Sequence, residues 1–223
     1  MIPIRDDNPT RSLPLVTIVL VVANVLVFVY ELSLGSASRA NAFFATFALV
    51  PTQLTRATSP EAIRSVFTSM FLHGGWLHLI VNMWFLWIFG DNVEDSVGHF
   101  KFIVFYLLCG IAAAAVQVVS APDSSVPMIG ASGAIAGVLG AYLLLFPRAR
   151  VLVLFPLWIF LKFIYVPAWI LLIFWFAVQL LSGWTIVNVP EGGGVAFWAH
   201  VGGFVAGLLL VPLFKKRYVR LFQ

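Results

Sequence analysis

Runs of about 20 apolar residues recur along this chain, each roughly the length of helix that crosses a bilayer core. VTIVLVVANVLVFVY, residues 16–30, is one of them. Such runs constrain the fold more than any other feature, because hydrocarbon offers no partner to an unpaired backbone group. The chain therefore reads as a polytopic, all-α membrane protein. Composition agrees: 61% of the 223 residues are hydrophobic and 10% are charged, against about 25% charged in soluble domains. The net charge of +4 is no sign of a nucleic-acid partner, because the basic residues stand at helix ends, where topology uses them. Cys109 is the single cysteine and lies in an apolar run, which leaves no internal disulfide and no redox chemistry to expect. No cleavable signal peptide is expected, since the first apolar run is too long for a signal core.

Six spans are expected, at about 13–34, 66–89, 100–120, 128–146, 166–181 and 195–214, in one domain covering 1–223. The connection 35–65 is polar enough to leave the core, but its NAFFATFALVP piece suits the interface. No internal repeat is visible, which weakens a transporter built from duplicated halves. Residues 151–165 are apolar but interrupted by Pro156 and Lys162, and are read as an interfacial or re-entrant linker that returns to the side it left. With six spans, one side holds Arg5, Arg11, Lys101, Arg148, Arg150, Lys162, Lys215, Lys216, Arg217 and Arg220; the other holds Arg39, Arg56 and Arg64. Ten against three puts both termini in the cytoplasm. The expected location is a bacterial inner (plasma) membrane.

In MIGASGAIAGVLGA, residues 128–141, Ser132 interrupts a run that otherwise reads as buried helix. A serine is a weak nucleophile unless a base stands beside it. Of the four histidines, His99 falls in the charged cytoplasmic loop DNVEDSVGHFK and reads as solvated. His200, in FWAHVGGFVAG, lies near the outer end of the sixth span, at the depth of Ser132. It shares a helix face with Gly203 and Gly207. On the fourth span Ser132, Ala136 and Gly140 make a similar stripe, with Gly133 and Gly137 beside it. Small faces let helix backbones approach closely, and this packing would bring the Ser132 hydroxyl to the His200 imidazole. Asp123 and Glu191, the acids nearest on that side, sit in loops, so a Ser–His dyad oriented by packing is expected, without a carboxylate. His78 and Asn82, four apart in HGGWLHLIVNMW, share a face at the same depth and are candidate oxyanion donors. His73 is given a structural role, tying down the loop after the first span.

GASG around Ser132, AHVGGFVAG around His200 and HLIVN around His78 and Asn82, in this order on six spans, resemble the rhomboid intramembrane serine proteases. The resemblance covers nearly all of the chain from Leu13 on. It implies a rhomboid-like bundle, a Ser132 nucleophile, a His200 general base and an oxyanion site of His78, Asn82 and the backbone amides of Ser132 and Gly130. It implies cleavage of single-span membrane proteins near their outer ends, within the lipid bilayer and without metal or cofactor. Many relatives carry an aromatic residue four positions after the serine, stacked on the histidine; here that position is Ala136. The Trp-Arg pair that some members carry in the first loop is absent here. Glu94 matches a family position and reads as structural. The competing readings are an inactive relative that binds membrane proteins, and a small-solute channel or carrier. Residues 183–195, with Gly192, Gly193 and Gly194, are read as a mobile cap over the site.

Overall fold

The first apolar run forms helix α1 (Leu15–Ser33), and its start is capped by a residue far away in sequence. The amides of Val16 and Thr17, orphan donors of the first turn, both donate to the Glu94 carboxylate at 2.8 Å, and the Thr17 hydroxyl adds a third bond at 2.8 Å. Glu94 is fully buried. A carboxylate at a helix N-terminus is favoured both by the free N–H groups and by the helix dipole.

The computed structural model describes residues 1–56, 59–157, 160–186 and 196–223. After α1 come three short helices, α2 (Ala37–Phe47), α3 (Pro51–Arg56) and α4 (Pro60–Thr68), then a 3-10 turn at Ser69–Phe71. The long helices are α5 (Trp76–Val97) and α6 (His99–Ser120), followed by the shorter α7 (Ser132–Leu145), then α8 (Ala168–Ile186) and α9 (Phe197–Phe214). The chain is an integral membrane protein and mostly helical. Among the described residues α1, α6, α8 and α9 are long and apolar enough to cross a bilayer, and α4 with α5 would make a fifth span bent by 79°. At 14 residues, or about 21 Å, α7 is too short by that measure. The expectation of six full-length spans is thus met only in part.

Three sequence expectations need correction. The second span is displaced: α5 begins at Trp76 and runs eight residues past the expected end at 89, through GDNVEDSV. It starts late because Gly74 and Gly75 disfavour helix and because the His73 amide is drawn to the Glu31 carboxylate of α1 (3.2 Å). It continues through charged residues because Glu94 and its neighbours are bonded to the N-terminal segment. His99 is exposed as expected but is not in a loop: it opens α6, with its Nδ1 2.6 Å from Glu94 Oε1. Gly98, at φ +91°, supplies the one-residue reversal between α5 and α6, a conformation that favours glycine.

The third correction is to the all-α expectation. Strands β1 (Ile2–Asp6), β2 (Arg150–Leu157) and β3 (Phe160–Pro167) form an antiparallel sheet in that order. The stretch expected to be a linker is therefore a hairpin, and its Val, Ile, Phe and Tyr content is what strands favour. The N-terminus completes it, Ile2 pairing with Leu154 and Asp6 with Val151. The Trp84 indole donates to Pro3 O at 2.6 Å, and the Tyr142 hydroxyl donates to the Asp6 carboxylate.

Burial raises the pKa of Asp6 to about 6, from 3.8, despite that hydrogen bond. The folded state therefore holds a proton that the unfolded chain has released between about pH 4 and 6. Stability should rise as pH falls through that window. Thermal unfolding in detergent at pH 7 and pH 5 measures it: Asp6→Asn should remove that share of the pH dependence.

At the centre, α7 is buried from Gly133 to Tyr142, as expected of a helix apolar all round. It lies against α9, where a Cβ built on Gly203 would overlap Gly133 O and one on Gly207 would overlap Gly137 O. Two backbones are thus in direct contact through the small residues of both helices, and this contact sets the depth of Ser132 relative to His200.

Candidate active site

Ser132 is the first residue of α7, so its N–H is one of the helix's orphan donors. His200 lies one turn into α9 and is buried. The register fixed by the glycine contacts sets His200 Nε2 2.8 Å from Ser132 Oγ. On its other side, Nδ1 stands 2.7 Å from Gln179 Oε1, a buried side chain of α8. With the Gln179 carbonyl accepting from Nδ1–H, Nε2 is unprotonated and accepts from the serine hydroxyl. That is the arrangement in which an imidazole can take the proton of an attacking serine.

The expectation that packing alone orients His200 is corrected by this contact. Gln179 stands on the fifth span, which carries none of the motifs that mark the other site residues. Its one signal is being the single glutamine in an apolar helix, since polar groups at membrane depth usually have a task. The ring is also faced by Trp175, one turn earlier on α8, at 5.8 Å between centroids, and by Phe197 edge-on at 6.4 Å. Ala136 is fully buried near Gly203, which leaves no space for an aromatic there. In this chain α8 supplies the wall behind the histidine.

His78 and Asn82 project from α5 toward the turn before Ser132. Gly130 has φ +117°, and a Cβ there would stand 2.7 Å from His78 Nε2 and 3.6 Å from Asn82 Nδ2. Both the backbone angle and the close approach require glycine. The Gly74 amide donates to His78 Nδ1 at 3.4 Å, which leaves Nε2–H as the ring's free donor. Asn82 Nδ2 is buried with no hydrogen-bond partner among the described residues. The Gly130 amide does not join them as expected: it donates to Ser69 O at 2.8 Å. The contribution of Gly130 is the space it leaves.

His73 has the structural place expected of it, its amide on Glu31 at the end of α1 and its ring 5.0 Å from that of His78. Asp123 is bonded to Arg56 on the surface, away from the histidine. Glu191 and most of the expected cap, residues 187–195, lie outside the described residues. Ser132, His200, His78 and Asn82 all line one cavity of about 1270 Å³, enough for several residues of extended peptide.

The chain is thus a mostly helical membrane protein in which a serine is hydrogen-bonded to a histidine, with an amide unpartnered among the described residues lining the same cavity. A family model described as Rhomboid domain matches residues 60–217, and the chain belongs to the rhomboid family. It is 30% identical over 151 residues to "Rhomboid protein 1, mitochondrial" of Saccharomyces cerevisiae, 65% of this chain and 40% of that protein. It is 32% identical over 140 residues to "Rhomboid protease GluP" of Bacillus subtilis, 63% of this chain and 24% of that one. The matched region thus spans less than half of either relative.

Proposed function

We propose that this protein is an intramembrane serine endopeptidase that cleaves single-span membrane proteins near the outer end of their span. The observation that carries the reading is the Ser132–His200 hydrogen bond of 2.8 Å in a cavity that also holds a spare amide donor. Ser132 Oγ attacks the scissile carbonyl carbon as His200 Nε2 takes its proton. The carbonyl oxygen becomes an oxyanion in reach of the Ser132 N–H, Asn82 Nδ2 and His78 Nε2–H. The tetrahedral intermediate collapses as His200 returns the proton to the leaving amine, leaving an ester on Ser132. Water, deprotonated by the same nitrogen, then releases the acyl chain. The residues present suffice for each of these steps without a cofactor. The asymmetry of basic residues supports both termini facing the cytoplasm, and the membrane in this reading is a bacterial inner membrane.

The alternative of an inactive membrane-protein binder is disfavoured by the retained pair and its geometry. A channel or carrier is disfavoured because the buried polar groups at the other end, such as Glu94 and Thr17, are bonded to one another and do not line the cavity. The test is covalent labelling of the purified protein by an activated fluorophosphonate, alongside cleavage of single-span proteins in liposomes. Wild-type protein should label at Ser132. Asn82→Ala should label and cleave about 10²–10³ more slowly, a transition-state loss of about 2.7–4 kcal/mol at nearly constant KM. No labelling of wild type would overturn the reading; a raised KM with unchanged kcat would make Asn82 a binding or packing residue.

A further inference from the structure

We propose that Gln179 is a positioning residue that holds His200 in its catalytically competent tautomer, in the place where a soluble serine hydrolase has a carboxylate. The inference rests on the protease reading above.

Three observations converge on α8. Gln179 Oε1 lies 2.7 Å from His200 Nδ1, at the short end of the range for such a bond. The side chain is buried, with 7% exposure, so water cannot replace it as the acceptor. Trp175, one turn earlier on the same helix, faces the same ring, so one helix fixes both the imidazole plane and its proton. Without an acceptor at Nδ1 the ring is free to protonate Nε2, and the Ser132 hydroxyl would then face a donor. A wrong tautomer is costly even where nothing else moves: in the serine proteases an amide in place of the triad carboxylate lowers kcat about 10⁴-fold. There the amide can turn its NH₂ toward the ring. Here the carbonyl faces Nδ1, and a neutral group avoids the cost of an ionised carboxylate at membrane depth.

The alternative is a buried glutamine that merely completes the packing of α8 on α9. Two replacements separate the ideas. Gln179→Met fills nearly the same volume without a strong acceptor; Gln179→Glu keeps an acceptor oxygen at the same reach, protonated or not. Each is compared with wild type in liposomes for kcat and KM, and the tautomer of His200 is read from nitrogen-15 spectra of histidine-labelled protein, its signal assigned by loss in His200→Ala.

Gln179→Met should lower kcat by about tenfold to a hundredfold at unchanged KM, less than a reversed tautomer would. Its spectrum should show Nδ1 partly deprotonated, whereas Gln179→Glu should return kcat to within about threefold of wild type. The proposal falls if Gln179→Met keeps full kcat, or if both replacements lose it equally. It falls too if wild-type His200 carries its proton on Nε2. The spectrum does not depend on turnover, so failure of the protease reading would appear separately, as a wild type with protonated Nδ1 that neither labels nor cleaves.

Discussion

Ser132→Ala and His200→Ala are each expected to abolish cleavage of a membrane-spanning substrate, and the double variant to be no worse than either. The hydroxyl and the imidazole share one proton across 2.8 Å, so removing either end disables the same step. The two should differ in stability. Ser132 is half-buried at a helix start, and losing its hydroxyl empties no packed volume, so its Tm should stay near that of wild type. His200→Ala leaves a void and removes the partner of the Gln179 carbonyl. An unsatisfied buried group costs about 1–3 kcal/mol, so this variant should melt earlier. Cleavage of a reconstituted substrate and thermal unfolding check both halves. Residual cleavage within about tenfold of wild type in Ser132→Ala would rule out the nucleophile, since triad knockouts elsewhere cost orders of magnitude more.

The second large effect lies away from the chemistry. Gly207→Ala should destabilise the bundle by at least the 1–3 kcal/mol typical of overpacking, and Gly207→Leu should prevent folding. A Cβ at this position meets Gly137 O, with Gly137 C and Cα at 2.6 and 2.7 Å. These are backbone atoms of a helix, which cannot rotate away as a side chain could. The added methyl must separate α7 from α9. Any separation also draws His200 from Ser132, so the Ala variant should lose activity in excess of its unfolded fraction. Gly74→Ala is the control: its Cβ meets only Ile129 Cδ1, at 3.5 Å, and its Tm should be unchanged. Thermal unfolding of the three proteins at one pH decides the matter, and an unaffected Gly207→Ala would mean the helices are not in backbone contact.

The Ser132–His200 pair is legible in the sequence because both residues carry their packing instructions with them. Glycines at helical spacing beside each one bring the two helices together, and a close contact of backbones leaves little freedom in register. His78 and Asn82 are legible for a similar reason, being four apart on one face. Gln179 is not, because its task is defined by a partner on another helix and by no spacing on its own. The Gly130 amide escapes its expected role because its competitor, Ser69 O, is some 60 residues away in sequence and belongs to a 3-10 turn that no periodicity announces. The extension of α5 through GDNVEDSV is hidden likewise: its charge argues for a loop, and only the N-terminus of α1, the partner of Glu94, makes it a helix. The sheet is illegible because one of its two strand pairings comes from residues at the other end of the chain.

That last pairing bears on how the protein is made. β1 is made before its partner β2, which ends at Leu157, so the strand must wait while the helices between them are inserted. Closing a loop of that length costs on the order of 4 kcal/mol in chain entropy, which four paired residues recover only once the neighbouring helices already hold the ends close. A strand that precedes every described helix is therefore among the last elements to find its place.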